Sequence, residues 1–238
     1  MIKLPVGYDN FRKILDNKLD FVDKSLFIKD VMDDHTTEIA LITRPRRFGK
    51  TLNLSMLQHF LAAEVHGQKT TELFNHLKIG QINDGGYLKY QGKYPVIFIS
   101  FKDIKDTDFV TAYNKMRELI ISIYDEHNYL ALSDRLSNNQ RQLYQLIMTR
   151  QADRSQLQNS LQILCTCLYQ HYNVKPWLLI DEYDTPIQSS YLHGYYDEMI
   201  NFMRGMFGAA LKTNPYLEKA VITGILRIAK ESLFSGLN

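Results

Sequence analysis

Cysteine is scarce in this chain. Its 238 residues include two, Cys165 and Cys167, in a stretch of helical apolar spacing where side chains two positions apart point to different faces. That placement fits neither a shared metal nor a disulfide, and no further zinc ligands are apparent, so both are read as small core residues. The seven histidines show no paired metal-ligand spacing and are assigned no role. Long apolar runs are missing too: none approaches the roughly 20 residues of a bilayer-spanning helix. The opening MIKLPVGY has no apolar stretch of a secretory leader. A soluble, cytoplasmic protein with no membrane partner is the expectation.

Charge of one sign is also lacking. Lys and Arg number 28 against 26 Asp and Glu, a net +2, so no general field draws nucleic acid or an anionic surface. Any positive site has to be local, and nucleic acid stays open as a partner. No repeat, low-complexity tract or Pro/Ser-rich linker divides the sequence, which is read as one domain over residues 1–238.

What the chain does have is a 45% hydrophobic composition, enough for a sizeable core, and a regular succession of elements. Apolar runs at 39–43, 95–101, 177–180 and 219–223 read as buried strands. Between them, leucines at 54, 57 and 61 give a helix over 52–64. Phe109, Val110, Tyr113, Met116, Leu119, Ile120, Ile123 and Tyr124 give another over 107–127, the stripe being core. The polar Asn138-Asn139-Gln140 reads as an interruption. Leu157, Leu161, Leu164 and Leu168 resume the helical spacing, which Asn173-Val174-Lys175-Pro176 stops, and a further helix carries Met199, Phe202, Met203, Met206 and Leu211. Apolar strands alternating with helices imply an α/β three-layer sandwich with a mainly parallel sheet flanked by helices. Ligands of such sheets bind at the carboxyl ends of the strands.

The first strand runs into Arg44-Pro45-Arg46-Arg47-Phe48-Gly49-Lys50-Thr51. Gly-Lys-Thr closes the phosphate-loop signature, in which backbone amides surround phosphate oxygens, the lysine reaches the terminal phosphates and the hydroxyl binds Mg²⁺. The tripeptide alone is a weak signal, and the opening glycine is replaced by Arg44. Its setting strengthens it, because a strand leads in and a helix leads out, placing the loop at a helix N-terminus that attracts anions. Arg44, Arg46 and Arg47 read either as a solvated basic loop or as phosphate contacts.

Asp181 and Glu182 end the third strand. Hydrolysis needs a held metal and an oriented water, and Asp181 is placed to hold Mg²⁺ opposite Thr51, with Glu182 to polarise water. Asp184 reads as a turn residue before a helix. Thr223 ends the fourth strand and can face a terminal phosphate or be a plain β-branched strand residue. Arg227, just beyond, reads either as a transition-state cation or as a surface arginine.

Five segments resemble one family in order: FVDKS at 21–25, TRPRRFGKT at 43–51, LIDEYDTP at 179–186, ITGILR at 222–227 and FSGLN at 234–238. It is the AAA-ATPase-like family of bacteria and archaea, a branch of the P-loop NTPases related to the STAND group. The resemblance implies a Walker A pair at Lys50 and Thr51, a Walker B pair at Asp181 and Glu182, and a sensor at Thr223. It implies nucleotide contacts from Arg46, Arg47, Phe48, Gly49, Lys50, Thr51, Leu52, Asp23, Lys24 and Thr223. Glu182, Lys50 and Arg227 are the expected catalytic set, and Thr51 and Asp181 the expected metal ligands. ATP is the implied substrate with Mg²⁺, since no Asn-Lys-x-Asp guanine-reading motif is evident. Many members carry a C-terminal nuclease-like domain of the PD-(D/E)XK kind, which these residues do not include. The expected function is an Mg²⁺-dependent ATPase coupling nucleotide state to a partner domain, partner protein or like subunit. A low-turnover nucleotide switch, a P-loop phosphotransferase and a scaffold with a dead site are the alternatives.

Overall fold

The computed structural model describes residues 5–212 and 214–225. In chain order the elements are α1 (Phe11–Asp16), α2 (Leu26–Asp33), β1 (Ile39–Thr43), α3 (Lys50–Leu61), a short antiparallel pair β2 (Glu64–Val65) and β3 (Gln68–Lys69), and α4 (Lys78–Gln81). Then come β4 (Val96–Ser100), α5 (Phe109–Glu126), α6 (Asn138–Met148), α7 (Arg154–Gln158), α8 (Ser160–Tyr172), β5 (Trp177–Asp181), α9 (Thr185–His193), α10 (Tyr196–Leu211) and β6 (Lys219–Gly224).

The four longer strands form one parallel sheet in the order β1-β6-β5-β4. All lie where the apolar runs placed them. Side chains alternate across the pleat, so successive residues enter two different cores. Ile97, Ile99, Leu178, Ile180, Ala220 and Ile222 pack with α5, α8 and α10, whereas Val96, Leu179 and Val221 pack with α1, α2 and α3. Burial on both faces explains why β5 and β6 are apolar almost throughout. The expected three-layer sandwich is what forms. Because β6 lies between β1 and β5, the carboxyl ends of three strands meet at one point of the sheet edge.

Helix starts follow side-chain chemistry. Asp108 caps α5 by accepting from the Thr111 amide at 2.9 Å, and Asn173 ends α8 in the left-handed conformation. The Asn138-Asn139-Gln140 stretch is not an interruption: it opens α6. Ser137 accepts from the Gln140 amide at 3.3 Å while the Gln140 side chain accepts from the Ser137 amide at 2.8 Å, a reciprocal cap that favours polar residues in a first turn. Val110 is the other correction: it is 68% exposed and stands outside the core stripe of α5. Cys165 and Cys167 are both fully buried in the core against α10 and the sheet. Burial pushes each thiol up to about 12, which makes both unreactive as nucleophiles.

Candidate nucleotide site

The loop between β1 and α3 curls through two left-handed residues, Arg47 at φ 67° and Gly49 at φ 76°. Glycine takes that conformation freely, whereas arginine does so at a cost. Gly49 stands at the N-cap of α3, where no side chain caps the helix. The helical ladder begins with the Asn53 amide on the Gly49 carbonyl at 2.9 Å, so the amides of Lys50, Thr51 and Leu52 precede it. Together with the helix dipole they form a receptor for an anion. The Lys50 ammonium turns into the loop, donating to the carbonyls of Arg44 at 2.9 Å and Pro45 at 3.1 Å. The Arg44 amide donates to the Gly224 carbonyl at 3.2 Å, which fastens the loop to the end of β6. Arg46, Arg47 and Phe48 are exposed.

Asp181 is the centre of the arrangement. It is completely buried, and a buried carboxylate needs partners. Three hydroxyls supply them. Thr51 from α3 donates to Oδ2 at 2.9 Å, Ser100 from β4 donates to Oδ2 at 3.4 Å, and Thr223 from β6 donates to Oδ1 at 2.5 Å. The expected metal pair, Thr51 and Asp181, is therefore in direct contact. Sequence reasoning missed Ser100. Its only local signal is its place at the end of an apolar strand, and its partnership depends on β4 lying beside β5, which the linear sequence does not show.

These oxygen donors suit a hard divalent cation such as Mg²⁺, which binds through one or two protein groups plus phosphate oxygens and water. Among the described residues no group of three or more His, Cys, Asp or Glu is placed to hold a metal ion. The chain matches the family described as Predicted AAA-ATPase over residues 5–234. It belongs to that family.

A nucleotide-binding, ATPase-like role follows from this membership. The chain is also 27% identical over 238 residues to a protein of Azotobacter chroococcum mcd 1 described as an uncharacterized protein in the vnfD 5' region. That match covers 99% of this chain and 40% of the relative, so the chain spans well under half the relative's length. No solved structure matches it. Among the described residues no helix is long and apolar enough to cross a membrane.

Beside the loop between β1 and α3 lies a cleft of about 580 Å³, lined by Phe21, Val22, Lys24, Arg47, Phe48 and Leu52 among others. Four residues expected at the nucleotide on the loop side, Arg47, Phe48, Gly49 and Leu52, line it together with Lys24. Asp23 does not. Its carboxylate accepts from the amides of Ser25 and Lys78, both at 2.8 Å, while the Ser25 hydroxyl accepts from the Ile79 amide at 3.0 Å. Burial opposes the charge on Asp23, but the Lys78 amide and Ser25 outweigh it and hold the carboxyl below its ordinary value. Asp23 thus shapes the cleft wall by anchoring residues 23–25 to the start of α4.

Glu182 follows Asp181 in the left-handed conformation, φ 50°, and its Oε2 accepts from the Thr185 hydroxyl at 3.1 Å. A left-handed glutamate is strained backbone, the kind of outlier that clusters at functional sites. Asp184 stands at the N-cap of α9, as a turn residue should, but it does not cap the helix. Fully buried, it accepts from Gln188 at 2.7 Å and from the Ile225 amide at 2.9 Å, joining the start of α9 to the exit of β6. Lys102, two residues past β4, meets Asp9 at 3.2 Å. The Asp9 contact raises its ammonium above the ordinary value against the opposing effect of burial, and Asp103 and Asp181 add to the rise. Arg227 lies outside the described residues.

Proposed function

We propose that this chain binds ATP with Mg²⁺ at the carboxyl edge of β1, β6 and β5 and hydrolyses it, passing the change of nucleotide state to a partner domain, protein or like subunit. The observation that carries the reading is the 2.9 Å contact of Thr51 with the buried Asp181 carboxylate, beside a helix whose first amides are uncapped. Two motifs 130 positions apart meet at the point where an α/β sheet binds ligands.

Each residue has a distinct task. The amides of Lys50, Thr51 and Leu52 hold phosphate oxygens, and the Lys50 ammonium exchanges the Arg44 and Pro45 carbonyls for the terminal phosphates. Thr51 and Asp181 hold the metal, which when bound offsets phosphate charge and fixes the phosphate's orientation. Glu182 accepts a hydrogen bond from the attacking water and draws its proton, and Thr223 keeps Asp181 oriented through Oδ1. Phe48, Leu52 and Lys24 form the wall for the base and sugar, an apolar cleft being the usual home of such groups. Arg46 and Arg47 supply further positive charge at the mouth of the loop.

A second reading, a nucleotide switch of low turnover, draws support from the contact between Glu182 and Thr185. A carboxylate held by a neighbouring hydroxyl has to leave it before it serves water. Steady-state hydrolysis by the unaltered chain and by Glu182→Gln, alongside nucleotide binding, tests the two together. The ATPase reading expects Glu182→Gln to bind ATP normally and to lose roughly 10²–10⁴-fold in turnover, the usual contribution of a positioned base. Turnover unchanged in Glu182→Gln contradicts the role assigned to that residue.

A further inference from the structure

The N-terminal segment meets the sheet edge just beyond β4, where Asp9 pairs with Lys102. Residue 100 of β4 pairs in register with Asp181 of β5, and the chain continues from there to Lys102. The Lys102 ammonium and the Asp9 carboxylate lie 3.2 Å apart, with side chains 47% and 56% exposed. Lys102, Asp9, Ser100 and Thr51 line one small cavity of 140 Å³. Lys102 is therefore a cation sharing a cavity with the same Thr51 and Ser100 whose hydroxyls donate to Asp181.

Asp9 is also mechanically connected. It precedes Asn10, whose side chain caps α1 by accepting from the Lys13 amide at 3.1 Å. The Phe11 amide then donates to the Ser55 hydroxyl at 3.1 Å in a buried contact with α3, the phosphate-loop helix. Residues 9–11 thus rest on that helix, with Lys102 as a cationic partner beyond the end of β4. An ion pair half in water is weak and screened, whereas ammonium contacts with phosphate oxygens are charge-assisted and stronger. The cavity is also lined by His66 and Glu126, and an anion entering it on the Thr51 side would compete with Asp9 for Lys102.

We infer that Lys102 is a further contact for the terminal phosphate of a bound nucleoside triphosphate, and that the Asp9–Lys102 pair is a latch which this phosphate opens, so that α1 reports nucleotide state. The inference rests on the nucleotide-binding reading above and deepens it. A diphosphate leaves the latch closed. Opening it frees residues 9 and 10 from the sheet edge while Phe11 and Ile14 stay in the core.

The test measures affinity for a non-hydrolysable ATP analogue and for ADP, each with Mg²⁺, in the unaltered chain, Lys102→Ala and Asp9→Asn. Lys102→Ala is expected to weaken the analogue about tenfold, the effect of losing one hydrogen bond to a charged group, and to leave ADP unchanged. Asp9→Asn is expected to tighten the analogue severalfold, a gain that misfolding cannot produce. Hydrogen exchange at residues 9–13 gives a readout apart from affinity: it should rise with the analogue but not with ADP in the unaltered chain. In Asp9→Asn it should be high throughout. Equal losses for both nucleotides in Lys102→Ala, or no change in either variant, overturn the latch and leave nucleotide binding standing. Failure of the folded, unaltered chain to bind either nucleotide overturns the nucleotide reading and the latch with it.

Discussion

Gly224 closes β6 against the turn that follows Asp181. A Cβ built there would stand 2.5 Å from Tyr183 Cε1 and 2.8 Å from Asp184 Oδ1, inside any normal contact. Gly224→Ala is therefore expected to lower stability by about 1–3 kcal/mol, the usual cost of overpacking, and a denaturant titration checks it. An unchanged midpoint would mean that the turn gives way easily. The Thr185 hydroxyl makes a different kind of contact, because it donates to the carboxylate that the proposed chemistry needs. Thr185→Val keeps the shape and removes the donor. If Thr185 restrains Glu182, the variant turns over ATP faster at unchanged affinity; equal or slower turnover with a stable fold removes the restraint from the account. Among single residues the sequence is uneven as a guide. Lys50, Thr51 and Asp181 announce themselves by motif and by an apolar strand leading in. Ser100 and Lys102 do not, since a serine and a lysine after a strand are ordinary until the neighbouring strand is known.

At the scale of elements, the strands and the longer helices were legible because each is buried on a face or on both, and burial imposes periodicity. The start of α6 was missed although Ser137 and Gln140 carry a readable capping signature: polarity in a first turn resembles polarity in a loop. The pair β2 and β3, with two residues in each strand, is too short for any period to show. Short α4 is held by contacts from far away in sequence, the Asp23 carboxylate and the Ser25 hydroxyl on its first amides. A carboxyl whose folded pKa lies below its ordinary value contributes stability above that value and loses it as pH falls through the folded pKa. Asp23→Asn is therefore expected to destabilise the chain near neutral pH and to cost progressively less as pH falls below the ordinary 3.8. Chemical denaturation of both forms across that range decides it, and a pH-independent difference would show that the charge contributes nothing.

On the scale of the whole molecule, sheet order does the assembling. Placing β6 between β1 and β5 brings the loop fastened at Gly224, the Thr223 hydroxyl and the Asp181 carboxylate together at one edge, and β4 adds Ser100 from the other side. That order was open in the sequence, which showed four parallel-type strands without ranking them across the sheet. The proposed coupling would run along α3, which starts in the site and ends deep in the core with α1 and α2. The central claim is that Lys50 and the uncapped turn of α3 bind nucleotide phosphates together with a metal held by Thr51 and Asp181. Calorimetric titration of ATP into the unaltered chain and into Lys50→Ala, each with and without Mg²⁺, tests it most directly. The account predicts saturable binding that Mg²⁺ strengthens and that Lys50→Ala abolishes or weakens by at least about tenfold. Binding that is indifferent to both Mg²⁺ and Lys50, or no binding by the folded chain, would contradict it.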